Sequence, residues 1–136
     1  MMGQNSAELF WLACVALLTS VMWMPYIVQL IAQMGPVAAL LDRFHETPHD
    51  ARWAQRAKRA HANAVENLVV FAPLAIAVYA LDAGTALTAT ASAVYFFARA
   101  GHYVVYVLAV PLVRTLLFAV GFVCQWILGL TLLGWL

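Results

Sequence analysis

Arg59-Ala-His-Ala-Asn63-Ala-Val-Glu66-Asn-Leu68-Val-Val-Phe-Ala-Pro73-Leu-Ala-Ile-Ala-Val-Tyr-Ala-Leu81 is polar at its start and almost wholly apolar from Leu68 to Leu81. A bilayer-crossing helix needs about 20 mostly apolar residues. Counted from Arg59 the stretch is long enough, but it then carries Arg59, Asn63 and Glu66 on its way into the membrane. These follow at intervals of four and three, so they share one helix face. Glu66 lies about 10 Å deeper along the axis than Arg59.

The rest of the chain agrees with a membrane reading. Of 136 residues, 65% are hydrophobic and only 10% charged, against about 25% charged in soluble domains. A soluble domain this small cannot bury so much apolar surface, and a chain this apolar does not stay disordered. A net charge of +1 supplies no field for nucleic acid. Cys14 and Cys124 each sit inside an apolar run, so neither a disulfide framework nor a zinc spacing is present. Strict alternation is absent, which argues against a β-barrel.

The expected fold is therefore an all-α integral membrane bundle of four transmembrane helices, one domain over residues 1–136. The helices are placed at about 8–32, 59–82, 85–110 and 112–136, cut by Gly35-Pro36, Asp82-Ala-Gly84 and Pro111. No Lys or Arg precedes the first apolar run, so it does not resemble a cleaved signal peptide. Arg43, Arg52, Arg56, Lys58 and Arg59 lie in or beside the connection at 33–58, and Arg114 lies beside the third connection. The positive-inside rule makes that side cytoplasmic and sends both termini to the other side. The long connection reads as a solvated linker with an interfacial Val37-Ala-Ala-Leu-Leu41 segment.

Ionisable side chains inside a span are costly and face a cavity or a partner. Arg99, His102, Tyr103 and Tyr106 form a second stripe on the third helix. In this orientation Arg59, Asn63, Glu66, Arg99, His102, Tyr106 and Arg114 share a depth in the cytoplasmic half. They are expected to form one polar pocket. Three guanidiniums and one carboxylate leave it near +2, suited to a small guest bearing carboxylates, because the planar Arg fork grips carboxylates bidentately.

Each residue also has a plainer reading. Glu66 can pair with Arg99 or Arg59 to fix packing, and Arg59 and Arg114 can snorkel to lipid phosphates. Tyr103 reads as a packing or interface tyrosine, His102 as a satisfied interior histidine, and His61 as structural or interfacial. His45 and His49 lack a third ligand, so no metal site is expected. Cys14 and Cys124 read as small hydrophobes, and Gly101, Gly121 and Gly129 as points of close helix approach.

The joint pattern resembles the MAPEG family, the membrane-associated proteins of eicosanoid and glutathione metabolism. Arg59-x3-Asn63-x2-Glu66, with the Pro73-containing run after it, is similar to the family's second-helix signature. Arg99-x2-His102-x3-Tyr106 is similar to its third-helix pattern, and Pro111-Leu-Val-Arg114-Thr115 to its Pro-x-Arg-Ser element, with one residue more between Pro and Arg. The resemblance implies a homotrimer that binds glutathione as co-substrate between subunits. Arg59, Asn63, Glu66, Arg99, His102 and Tyr106 would be binding residues; Arg114 and Thr115 would act at the sulfur. It also implies a lipophilic second substrate from the bilayer and a transferase or peroxidase activity. The alternative is a non-catalytic lipid-binding or scaffold protein of the same fold. A transporter is less favoured, since four helices show no inverted repeat.

Overall fold

The computed structural model describes residues 6–42 and 47–136; Arg43, His45 and Glu46 of the first connection lie outside them. Described residues form α1 (Ala7–Val21), α2 (Met24–Met34), α3 (Pro36–Leu41), α4 (Arg52–Ala80), α5 (Ala86–Val107) and α6 (Pro111–Leu132). Three stretches are long and apolar enough to cross a bilayer: Ala7–Met34, which joins α1 and α2, Arg52–Ala80 and Pro111–Leu132. The 22 residues of α5 include Thr88, Ser92, Arg99 and His102, all buried within the bundle.

Local chemistry sets the boundaries. Ser6 caps α1 by accepting from the Leu9 amide at 3.1 Å. The first span breaks at Met22-Trp23 because Pro25, in the first turn of α2, has no N–H to continue the ladder. Tyr103 donates to the Met22 carbonyl at this break, at 2.9 Å. Gly35, at φ +86°, turns the chain into α3, a conformation that a side chain disfavours. α4 begins at Arg52, earlier than the apolar pattern alone suggests, because Ala54, Ala57, Ala60 and Ala64 continue its buried face. At 29 residues it is about 43 Å long. Thr85 and Thr88 form a capping box at the start of α5. The tight turn after α5 carries Ala109 at φ 61° and leads into Pro111, the first residue of α6.

Phe71 and Tyr95 stack at 3.9 Å in the core, among Val15, Ala75, Val78, Cys124 and Leu128. α5 packs against α1, α4 and α6, most extensively against α6. Two glycines enable the α5–α6 approach. A Cβ on Gly101 would stand 3.1 Å from Leu117, and one on Gly121 would stand 2.7 Å from Arg99 Nη2. At the opposite end Glu8 is buried and accepts from Thr88 Oγ1 at 2.6 Å.

Two stability outcomes follow. Thr88→Val strands a buried carboxyl and should cost about 1–3 kcal/mol, whereas Thr90→Val, at an exposed site bonded only within its own helix, should be near neutral. Gly121→Ala should cost about 1–3 kcal/mol by overpacking against Arg99. Denaturation in detergent reads all three, and an unshifted midpoint for Gly121→Ala would contradict the packing described.

Candidate functional site

At the end of the bundle where α4 and α6 begin and α5 ends, a hollow of about 220 Å³ is lined by Asn63, His102, Tyr106, Arg114, Thr115 and Phe118. One α4 residue, two α5 residues a turn apart, and the first turns of α6 build it. The short turn at 108–110 brings Arg114 back over Tyr106, with its guanidinium 4.8 Å from the ring centroid. The extra residue between Pro111 and Arg114 therefore still leaves this cation on the wall. The His102 ring lies 5.5 Å from Tyr106 and 6.3 Å from Phe118. Thr115 Oγ1 donates back to the Pro111 carbonyl at 3.1 Å.

Arg99 stands behind this wall and is only 2% exposed. Its Nη1 donates to Asn63 Oδ1 at 3.2 Å, and its guanidinium lies 5.5 Å from Phe118 and 5.6 Å from Tyr95. Nε and Nη2 have no hydrogen-bond partner. Because Arg99 takes the Asn63 oxygen, the Asn63 NH2 group is left as a donor. With Arg114 on the wall, Arg99 behind it and no carboxylate lining it, the hollow favours an anion.

Not every residue of the expected pocket arrives there. Arg59 and Glu66 are exposed. Arg59 lines a different hollow with Lys58 and the 47–49 segment. Arg99 bonds Asn63 and not Glu66. Helix geometry explains this: at about 100° per residue Arg59 and Glu66 are some 40° and 60° from Asn63, so one edge of the stripe points inward and the rest outward. Tyr103 is drawn away to the Met22 carbonyl. His61 Nδ1 meets the Tyr26 hydroxyl at 2.7 Å.

Two residues went unread in the sequence. Phe118 roofs both the hollow and Arg99. Gln125, buried in the apolar run of α6, donates to the Asn67 carbonyl at 3.1 Å and ties α6 to α4. It stands three helical turns from Arg114 on the same face, a periodicity that would have found it. Farther along the same α4–α6 seam, Val70, Leu74, Phe122, Trp126 and Leu130 line an apolar hollow of about 460 Å³. Among the described residues no His, Cys, Asp and Glu group could hold a metal ion.

Comparison with known proteins gives one finding. The model of the MAPEG family matches residues 9–134. Searches of curated proteins and of solved structures returned no significant match. Because the matched residues span nearly the whole chain, this all-helical, membrane-integral protein belongs to the MAPEG family.

Proposed function

We propose that the protein is a glutathione-dependent transferase or peroxidase of the membrane, acting on a lipophilic electrophile. The observation that carries this reading is the convergence of Asn63, His102, Tyr106, Arg114 and Thr115 on one hollow with no carboxylate in its wall. In the working form, α5 is the fourth span, the chain is a homotrimer, the basic end faces the cytoplasm and both termini face the other side. A neighbouring copy packs against α4, so that the exposed Arg59 and Glu66 reach the carboxylates and ammonium of a tripeptide whose sulfur lies by Arg114. Arg99 holds Asn63 in its donor orientation.

The chemistry follows from thiol acidity. A free thiol of pKa about 8.5 is only a few per cent ionised at neutral pH. The Arg114 guanidinium favours the anion and raises that fraction, the Tyr106 hydroxyl lies beside it, and Thr115 becomes a second donor on releasing the Pro111 carbonyl. The thiol proton leaves to water. The sulfur lone pair then forms the new S–C bond as the bond to the leaving group breaks, and the departing anion takes a proton. Holding both reactants removes the entropic cost of their encounter. The lipophilic partner enters along the α4–α6 apolar hollow beyond Gln125. That same hollow supports the second reading, a lipid-binding or scaffold protein without catalysis.

A thiolate difference absorbance, measured on purified protein in detergent with glutathione, separates the two. Wild type should ionise glutathione well below pH 8.5. Arg114→Ala removes the cation that favours the anion, so the apparent thiol pKa should rise toward about 8.5 and affinity should fall about tenfold. Wild-type protein that binds no glutathione would favour the second reading. Glu66→Gln should weaken glutathione binding while leaving trimer stability intact; equal losses would assign Glu66 to packing alone.

A further inference from the structure

A second hollow stands apart from the candidate site, on the neighbouring face of α4. The segment Thr47-Pro48-His49 crosses between α2 and α4 and divides a cleft into two parts. The outer part, about 440 Å³, is walled by Lys58, Arg59 and Gln55. The inner part, about 230 Å³, is walled by Tyr26, Ile27, Leu30 and Lys58. Thr47, His49 and Lys58 line both.

The crossing segment is fastened by a chain of amides. Gln33 Nε2 donates to the Pro48 carbonyl at 3.1 Å, and Gln33 Oε1 accepts from the Asp50 amide at 3.0 Å. Gln29 Nε2 donates to Asp50 Oδ1 at 2.5 Å, which leaves Gln29 Oε1 to accept from His49 Nδ1 at 2.6 Å. Gln55 Nε2 donates to the His49 carbonyl at 2.6 Å. His49, 5% exposed, is thereby held as the tautomer protonated at Nδ1. Burial pushes its pKa below the usual imidazole value, with Lys58 adding to the effect and Asp50 opposing it. Of the groups around the ring, Tyr26 and His61 are bonded to each other and the Asp50 carboxylate is committed to Gln29. Among the described residues the cations that line the cleft are Lys58 and Arg59, and the nearby carboxylates are Asp50, bonded to Gln29, and Asp42, which accepts from the Thr47 amide at 3.3 Å.

Depth says where the guest comes from. Lys58 precedes Leu68, the start of the apolar run on α4, by about 15 Å of helix. The end of α3 is tied to the cleft segment through Asp42 and Thr47, and its Val37, Leu40 and Leu41 are 69%, 85% and 67% exposed. A short apolar exposed helix beside a cationic cleft belongs at the headgroup level of a bilayer. We propose that the cleft between α2 and α4, closed by Thr47–His49, binds the phosphate headgroup of an anionic phospholipid. Lys58, the cation that lines both parts, takes the phosphate, Arg59 adds only to the field at the outer rim, and the Ile27 and Leu30 wall meets the start of an acyl chain.

Native mass spectrometry of detergent-solubilised protein titrated with phosphatidylglycerol or phosphatidylcholine tests this. Wild type should retain phosphatidylglycerol preferentially. Lys58→Ala should weaken that retention about fivefold, Lys58→Arg should restore it, and Arg52→Ala, at an exposed site outside the cleft, should leave it unchanged. Glutathione ionisation by Lys58→Ala should match wild type, which keeps this outcome separate from that of the glutathione reading. Equal retention of the two lipids would overturn the proposal. So would equal losses in Lys58→Ala and Arg52→Ala, or displacement of the lipid by inorganic phosphate alone, which would identify a soluble anion as the guest.

Discussion

A guanidinium buried in the middle of an apolar helix bundle is the constraint around which the other parts are arranged. Desolvating a charge costs several kcal/mol, and an ion pair repays this only with good geometry. Here Arg99 has one side-chain acceptor, Asn63, and two aromatic faces, Tyr95 and Phe118. The acceptor comes from α4 and the rings from α5 and α6, so three helices must meet at one level for the charge to be tolerated. Gly121 is the residue that leaves it space. The polar composition of α5 has the same origin: a helix in contact with α1, α4 and α6 can carry Thr88, Ser92, Arg99 and His102 because its neighbours shield them from lipid.

The apolar runs of α1–α2, α4 and α6 were legible because long hydrophobic stretches have few other meanings. The early start of α4 was not. Its buried face there is built of alanines, Ala54, Ala57, Ala60 and Ala64, whose spacing is helical but whose hydropathy barely stands out from the arginines between them. The site was legible in part for a related reason. Spacing assigns residues to a face about 100° wide, and only the neighbouring helix decides which edge of that face turns inward. Asn63 lies at the inner edge; Arg59 and Glu66 lie at the outer one. Tyr103 shares a face with Arg99 in sequence, yet its hydroxyl goes to a carbonyl at the α1–α2 break, which no periodicity in α5 reveals. The Gln29–Gln33–His49 clasp joins residues 15 to 21 positions apart through a non-helical segment, beyond the reach of any repeat.

Asn63 connects the structural and the chemical halves of the bundle. Its oxygen serves Arg99, and its backbone carbonyl and side chain meet Asn67 Nδ2 at 2.8 and 3.4 Å. Asn67 in turn offers its backbone carbonyl to Gln125. The amide at the wall of the hollow is thus oriented from behind by a buried cation and braced from below by a link to α6. Such a group does not have to reorganise when an anion arrives, which is how fixed dipoles lower the cost of binding charge.

Basic charge is also gathered at one end of the bundle. Arg52, Arg56, Lys58, Arg59 and Arg114 gather at the end where α4 and α6 begin, as the Arg56 bond to the Val107 carbonyl at the end of α5 makes plain. Glu8 and Asp82 belong to the other end, where α1 begins and α4 finishes. At the basic end, α4 separates two clefts of different make. The one against α5 and α6 is backed by a buried guanidinium; the one against α2 is backed by a hydrogen-bonded histidine and opens toward exposed α3. Under the two proposals a dissolved anion and a lipid phosphate would both be drawn to this end by the same charge. The buried guanidinium behind the first and the interfacial rim of the second would let one helix distinguish them without any difference in net sign.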